Sequence, residues 1–216
     1  MMVVSRKEHQ LLIAYEYIHG ANLEEIIHKS CPIKLNGNDK MFVALEIGMA
    51  VEYIHGRHII HQDIKPANIL VSERSKTAYL TDWGLANMKD SLAQFGAAAP
   101  GEMCGPRYAG SELYMAPELL LNNERCTSMS DMWSLGLTCL EMFTDSEPWV
   151  LNNRGALPGL LLKQRLPHAL AKLQSCLTEI VEPLVEYEPQ LRMNATALVT
   201  RLKSKVDLVK RYGFNF

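Results

Sequence analysis

A chain of 216 residues with 48% hydrophobic and 21% charged side chains can bury a sizeable core and has an ordinary globular composition. A formal net charge of −2 gives no electrostatic footing for nucleic acid or an anionic membrane as partner. No apolar run approaches the roughly eighteen residues of a membrane span, and Ser5, Arg6, Lys7 and Glu8 put polar side chains where a signal peptide needs its apolar stretch.

Residues 11–18 form an apolar run rich in strand formers, broken by His19-Gly20. Asn22 stands where it can cap a short helix running to Ile27. Beyond a loop marked by Pro32 and Gly37, Asn38 and Asp39 supply a start signal for a long helix. On that helix Phe42, Leu45, Met49 and Tyr53 recur at helical spacing beside a second stripe of Val43, Ile47, Ala50 and Ile54. Stripes this wide predict a largely buried helix. Three short strand-like runs follow at 59–60, 69–71 and 78–80. Residues 91–110, with Gly96, Pro100, Gly101, Gly105, Pro106 and Gly110, read as loop. The stretch 132–143 is apolar almost all round and predicts a central helix packed on every side, with Trp133 as a core anchor. Pro148, Pro158, Pro167, Pro183 and Pro189 divide the remainder into short helices, the leucine-rich run 157–162 among them reading as core. Asn194 starts a last helix with Leu198, Leu202 and Val206 along one face. The cysteines Cys31, Cys104, Cys126, Cys139 and Cys176 are odd in number and form no C-x-x-C pair, which suits free thiols in a reducing compartment. A cytoplasmic protein is expected, the nucleus not excluded, with neither nucleic acid nor membrane as partner.

The chemistry concentrates in His61-Gln62-Asp63-Ile64-Lys65-Pro66-Ala67-Asn68, followed by Asp82-Trp83-Gly84 and by Ala116-Pro117-Glu118. Any one Asp or Asn here would read as a polar turn residue. In this order and spacing they match the protein-kinase set H-R-D-L-x-x-x-N, D-F-G and A-P-E. His55, His58 and His61 recur every three residues, but with no fourth ligand nearby a zinc site is not expected.

From about Leu11 to about Val209 the chain thus resembles the eukaryotic protein kinase catalytic domain, serine/threonine type, over the hinge and the larger, C-terminal lobe. The resemblance implies an α+β, mainly α fold: a kinase-like C-lobe with a short β-hairpin remnant of the small N-lobe. Residues 1–18 would be N-lobe strands and hinge, 19–210 the C-lobe, and 211–216 a tail. It implies ATP and Mg2+ as cofactors and a protein bearing Ser or Thr as substrate, catalysis being mainly positioning and charge neutralisation around a transferred phosphoryl group. Asp63 matches the aspartate that orients or accepts the substrate hydroxyl proton, and Lys65 the lysine directed at the γ-phosphate. Asn68 and Asp82 match the magnesium ligands, whose oxygens suit a hard cation. The Glu16 carbonyl and Ile18 amide would meet the adenine edge, with Tyr15 as gatekeeper, Leu70 beneath the ring and Asn22 near the ribose. Ser111 falls where such kinases face a Ser or Thr toward the catalytic aspartate. His61 and Asp131 match residues that support the catalytic loop, and Glu118 and Arg192 match a buried ion pair whose fork geometry suits arginine.

Two positions depart from the pattern. Gln62 replaces the arginine that binds an activation-loop phosphate in many kinases, so another means of control is expected. Trp83 replaces the phenylalanine of D-F-G and keeps a bulky apolar anchor. The glycine-rich loop, the phosphate-clamping lysine and its glutamate partner are not found ahead of the hinge, since Lys7 lies only one strand away from Glu16. An N-terminally truncated serine/threonine kinase, inactive as an isolated chain, is therefore expected. The alternative is a pseudokinase-type binding or scaffold module, and a partner chain that supplies the N-lobe, or a regulatory chain, is a third arrangement.

Overall fold

The computed structural model describes residues 3–7, 10–83, 87–88 and 111–212. Strands β1 (Val3–Lys7) and β2 (Gln10–Ala14) pair antiparallel, with Val3 opposite Ala14 and Lys7 opposite Gln10. This is the hairpin expected ahead of the hinge. Residues 15–19 then carry no helix or strand. The expected loop at 91–110 lies outside the described residues.

A second sheet, in the order β3-β5-β6, is antiparallel throughout and built from Gly20–Asn22, Ile69–Ser72 and Ala78–Leu80. Gly20 is required there: a Cβ at that position would sit 2.0 Å from the Val71 carbonyl oxygen. Strand β4 (Ile59–Ile60) pairs with β7 (Asn87–Met88). Along β5 the alternation of buried Ile69 and Val71 with half-buried Leu70 is the period of two that a strand with one core-facing side demands. The helix α1 (Leu23–His28) starts as its sequence predicts, with Asn22 Oδ1 accepting from the Glu25 amide at 2.9 Å.

Helix α2 (Gly37–His55) begins earlier than the Asn38–Asp39 signal suggested. Asn36 and Asp39 cap each other reciprocally, and that box works only at a three-residue spacing. Its buried face runs through Met41, Val43, Ala44, Ile47, Val51 and Ile54, where Gly48 meets Leu198, Val199 and Leu202 of α7 (Ala195–Tyr212). The second sequence stripe is therefore largely the core stripe. The first is not, since Met49 and Tyr53 are 45% and 58% exposed. Both stripes are apolar, so only the position of α7 selects between them.

The centre of the lobe is α4 (Ser128–Thr144), capped by reciprocal bonds between Thr127 and Ser130. It is buried along nearly its whole length, with Met132, Trp133, Leu135, Leu137 and Leu140 fully enclosed. Each such side chain contributes about 1.5–3 kcal/mol on burial, so this helix is one of the main contributors to the core. Around it lie α3 (Pro117–Leu120), α5 (Leu157–Leu162), α6 (Ser175–Val181) and α7, whose first turn is capped by Asn194. The result is mainly helical, as expected. Leu157 and Leu161 are core, whereas Leu162 is 71% exposed. Among the described cysteines, Cys31, Cys139 and Cys176 are free thiols, but Cys126 is disulfide-bonded, against the expectation of free thiols throughout. Among the described residues no helix is long and apolar enough to cross a membrane.

Candidate active site

Asp131, in the first turn of α4, holds the start of the loop between β4 and β5. One carboxylate oxygen accepts the His61 amide at 2.8 Å and the other the Gln62 amide at 2.8 Å, while His55 Nε2 lies 2.9 Å from Oδ2. Gln62 has φ 72°, a conformation that costs a non-glycine residue about 1–3 kcal/mol and persists only when its surroundings over-determine it. Two amide bonds to one buried carboxylate do so.

His61 is fully buried. Its Nε2 faces the Thr81 carbonyl at 3.0 Å and its Nδ1 faces the Asp63 amide at 3.3 Å. A carbonyl needs a donor and an amide needs an acceptor, which fixes the neutral tautomer with the proton on Nε2. Burial pushes this imidazole below its ordinary range, outweighing the upward pull of Asp131, Asp63 and Asp82.

Asp63 is thereby turned toward Lys65 and Asn68. Its Oδ2 lies 2.7 Å from Lys65 Nζ and accepts Asn68 Nδ2 at 2.8 Å, and that same amide nitrogen donates to the Asp63 carbonyl at 2.8 Å. Both Asn68 bonds use the nitrogen, which orients Oδ1 as an acceptor pointing elsewhere. Pro66 opens the 3-10 turn Pro66–Asn68 at a position where its missing N–H costs nothing. The amide and hydroxyl of Thr81 both bond the Asn68 carbonyl, at 2.9 and 3.0 Å, and fasten the end of β6 to this turn. The next residue, Asp82, has φ 63° and lies exposed at the same edge, with the Trp83 ring tilted on His61 at 4.8 Å.

Asp63, Lys65 and Asn68 are thus in direct contact, and Asp82 directly follows Thr81, which is bonded to the Asn68 carbonyl. The donor set fits magnesium: one amide oxygen and one carboxylate are hard ligands. Among the described residues no group of three His, Cys, Asp or Glu side chains is placed to hold a metal ion.

The other predicted residues are more scattered. Glu16 is exposed, and Ile18 and Leu70 are half-buried, Leu70 standing on β5 opposite Asn22. The Asn22 Oδ1 caps α1 by accepting from the Glu25 amide, which leaves its Nδ2 out of the cap. Ser111 opens the 3-10 turn Ser111–Tyr114, its side chain lying outside the described residues. Glu118 and Arg192 meet through two bonds of 2.8 and 3.1 Å, both side chains buried. Arg192 also donates to the carbonyls of Glu186, Tyr187 and Met129 and lies 5.2 Å over the Trp133 ring.

Sequence reasoning missed two contacts. His55 read as a turn residue, whereas its ring completes the shell of Asp131. Glu141 was passed over, although it is the one charged residue in the apolar run 132–143 and a buried acid needs partners. Those partners are His28 and Tyr114.

The protein kinase domain model matches residues 1–202 of the sequence. The chain belongs to the protein kinase family. It is 31% identical over 199 residues to the MAP kinase kinase kinase wis4 of Schizosaccharomyces pombe, covering 88% of this chain and 14% of that protein. Ribosomal protein S6 kinase alpha-2 of Mus musculus is 30% identical over 210 residues, 96% of this chain and 26% of its own length. Serine/threonine-protein kinase Nek5 of Mus musculus is 29% identical over 197 residues, 89% of this chain and 29% of its own. The chain therefore spans less than a third of the length of these curated relatives.

Proposed function

We propose that this chain carries the catalytic-loop side of a serine/threonine kinase site, transferring a phosphoryl group from ATP to a protein hydroxyl. The observation that carries this reading is the contact set of Asp63 with Lys65 and Asn68, supported from beneath by Asp131. In it Asp63 takes or orients the proton of the attacking hydroxyl. Lys65, now paired with Asp63, swings to the γ-phosphate when that group is present. Asn68 and Asp82 would hold magnesium, which when bound supplies charge neutralisation at the phosphates. The backbone of Glu16 and Ile18 receives the adenine edge with Leu70 beneath it, and the turn at Ser111 receives the substrate segment. Lys65 and Ser111 support serine or threonine as the acceptor. A cytoplasmic setting belongs to the same proposal.

Lys7, the lysine nearest ahead of the hinge, lies on β1 in the hairpin that leads into it. Phosphotransfer then requires a phosphate-clamping lysine from further sequence or a partner chain. Without it the phosphates stay in water, where electrostatic stabilisation is weak. The isolated 216-residue chain, given Mg-ATP and a serine/threonine substrate, is expected to show no turnover above an Asp63→Asn control. Adding a small lobe with a glycine-rich loop and lysine should produce turnover that Asp63→Asn and Asp82→Asn abolish. The competing binding-module reading draws on Gln62, in place of an arginine that would couple the loop to activation-segment phosphate. Absence of turnover even with the added lobe would establish it.

A further inference from the structure

Helix α2 buries one face in the core, yet its opposite side is apolar as well. Phe42, Leu45, Met49 and Tyr53 follow one another there at helical spacing. Phe42 and Leu45 are half-buried, and Met49 and Tyr53 are exposed. A contiguous apolar strip on an outer surface marks a contact that something else completes. The Tyr53 ring already has a partner in Arg57, whose guanidinium lies 3.5 Å over its centre. The rest of the strip, from Phe42 to Met49, is about 10 Å long.

Helix α7 brings its last turn to one end of that strip. Gly48 of α2 packs on Leu198, Val199 and Leu202 near the start of α7, whereas Lys210 Nζ lies 5.8 Å over the Phe42 ring. The two helices therefore run antiparallel, and α7 finishes at Tyr212 on the Phe42 side. The sequence continues as Gly213-Phe214-Asn215-Phe216, which lies outside the described residues. A glycine directly after the last helical residue suits a left-handed turn that reverses the chain. In an extended segment beyond that turn, phenylalanines at alternate positions point to the same side. Four extended residues reach about 13 Å. That length covers Phe42, Leu45 and Met49 but falls short of Tyr53, about 16 Å from Phe42 along the helix.

We propose that residues 213–216 fold back over the outer face of α2, with Phe214 and Phe216 packing on Phe42, Leu45 and Met49. The contact takes two aromatic side chains and the exposed Met49 out of water together, and a thioether against aromatic rings is a favourable pair. It fastens α7 to α2 from outside, across the interface that Gly48 forms within. It is independent of phosphotransfer. The competing occupants of the strip are a second copy of this chain and a small lobe.

Methyl-labelled methionine in the 216-residue chain reads the contact by NMR. Met49 reports the strip, and the fully buried Met41 and Met132 report the core. A methyl group over the face of an aromatic ring resonates upfield. Phe214→Ala/Phe216→Ala should therefore shift the Met49 signal downfield and leave Met41 and Met132 unmoved. From the other side, with 4-fluorophenylalanine at position 216, Met49→Gln should move the fluorine signal to that of the free Gly-Phe-Asn-Phe peptide. A Met49 signal unmoved by the double variant overturns the proposal, as does a fluorine signal unmoved by Met49→Gln. Equal movement of Met41 and Met132 overturns it too, because it marks a general loosening. A Met49 shift present only at high protein concentration, with a dimer in sedimentation, overturns it in favour of a second copy. One that appears only when a small lobe is joined to the chain overturns it in favour of that lobe.

Discussion

Helix α4 carries two buried carboxylates that solve the same problem in opposite ways. Asp131 lies in the first turn, where the helix dipole favours negative charge, and takes two backbone amides and the His55 ring. Glu141 lies in the last turn, where the dipole opposes it, and takes only side-chain donors, from His28 and Tyr114. Burial raises the Glu141 carboxyl above its usual range, while the bonds from Tyr114 and His28 pull it back. Backbone donors come with the chain path and are lost at 61 or 62 only by substitution with proline. Gln62 therefore supplies the bond to Asp131 as well as an arginine would, since only its N–H is used. Side-chain donors can be removed one at a time, so the Glu141 end is the adjustable end.

The largest expected effect breaks the first of these sites. Asp131→Ala strands two amides and a buried ring, and chemical denaturation should show a loss of about 3–5 kcal/mol. Arg192→Ala, which leaves Glu118 buried without its fork, should cost about as much, and a melting temperature unmoved by it would sink the account of the C-terminal third. Glu141→Leu should cost less, about 1–3 kcal/mol, since only side-chain donors are stranded and His28 can turn to water.

The two ends should also answer pH with opposite signs. The folded-state pKa of Glu141 is raised, so its contribution is fully present below the ordinary carboxylate value of about 4.3 and is lost as pH rises through the raised value. The folded-state pKa of His61 is lowered, so its contribution is present above about 6.5 and is lost as pH falls toward the depressed value. Urea unfolding across pH should therefore show Glu141→Gln removing a loss on the alkaline side and His61→Gln removing one on the acid side. Equal slopes in all three proteins would erase the distinction. The smallest effect belongs to Lys65, a side-chain donor that is 20% exposed. Lys65→Ala should change stability by about 1 kcal/mol or less while abolishing phosphotransfer wherever it is measurable, because the pair is partly solvated and one-sided loss leaves Asn68 on Asp63.

Much of this protein was legible in its sequence because the decisive signals are local. The residues of the loop between β4 and β5 lie within eight positions of one another, so Asp63, Lys65 and Asn68 had to be neighbours once the turn at Pro66 formed. Asn22 and Asn194 marked helix starts because a cap reaches only two or three residues along the chain. The ambiguous cases were those where two local answers were equally good. Asn36 and Asn38 could each begin α2, and two apolar stripes could each face the core. The choice fell to the reciprocal bond with Asp39 in one case and to the packing of α7 in the other.

What the sequence by itself determined is the order of elements and the chemical identity of the residues at the candidate site, since both depend on short spacing and intrinsic side-chain chemistry. That Asp131 needed donors, and that Glu141 could not stand alone in an apolar helix, also follows from sequence. Which groups answer them does not. His55 and the loop amides reach Asp131, and His28 and Tyr114 reach Glu141, across long stretches of chain. Only tertiary packing decided those partners, because a buried charge requires compensation but places no limit on how far along the sequence it comes from.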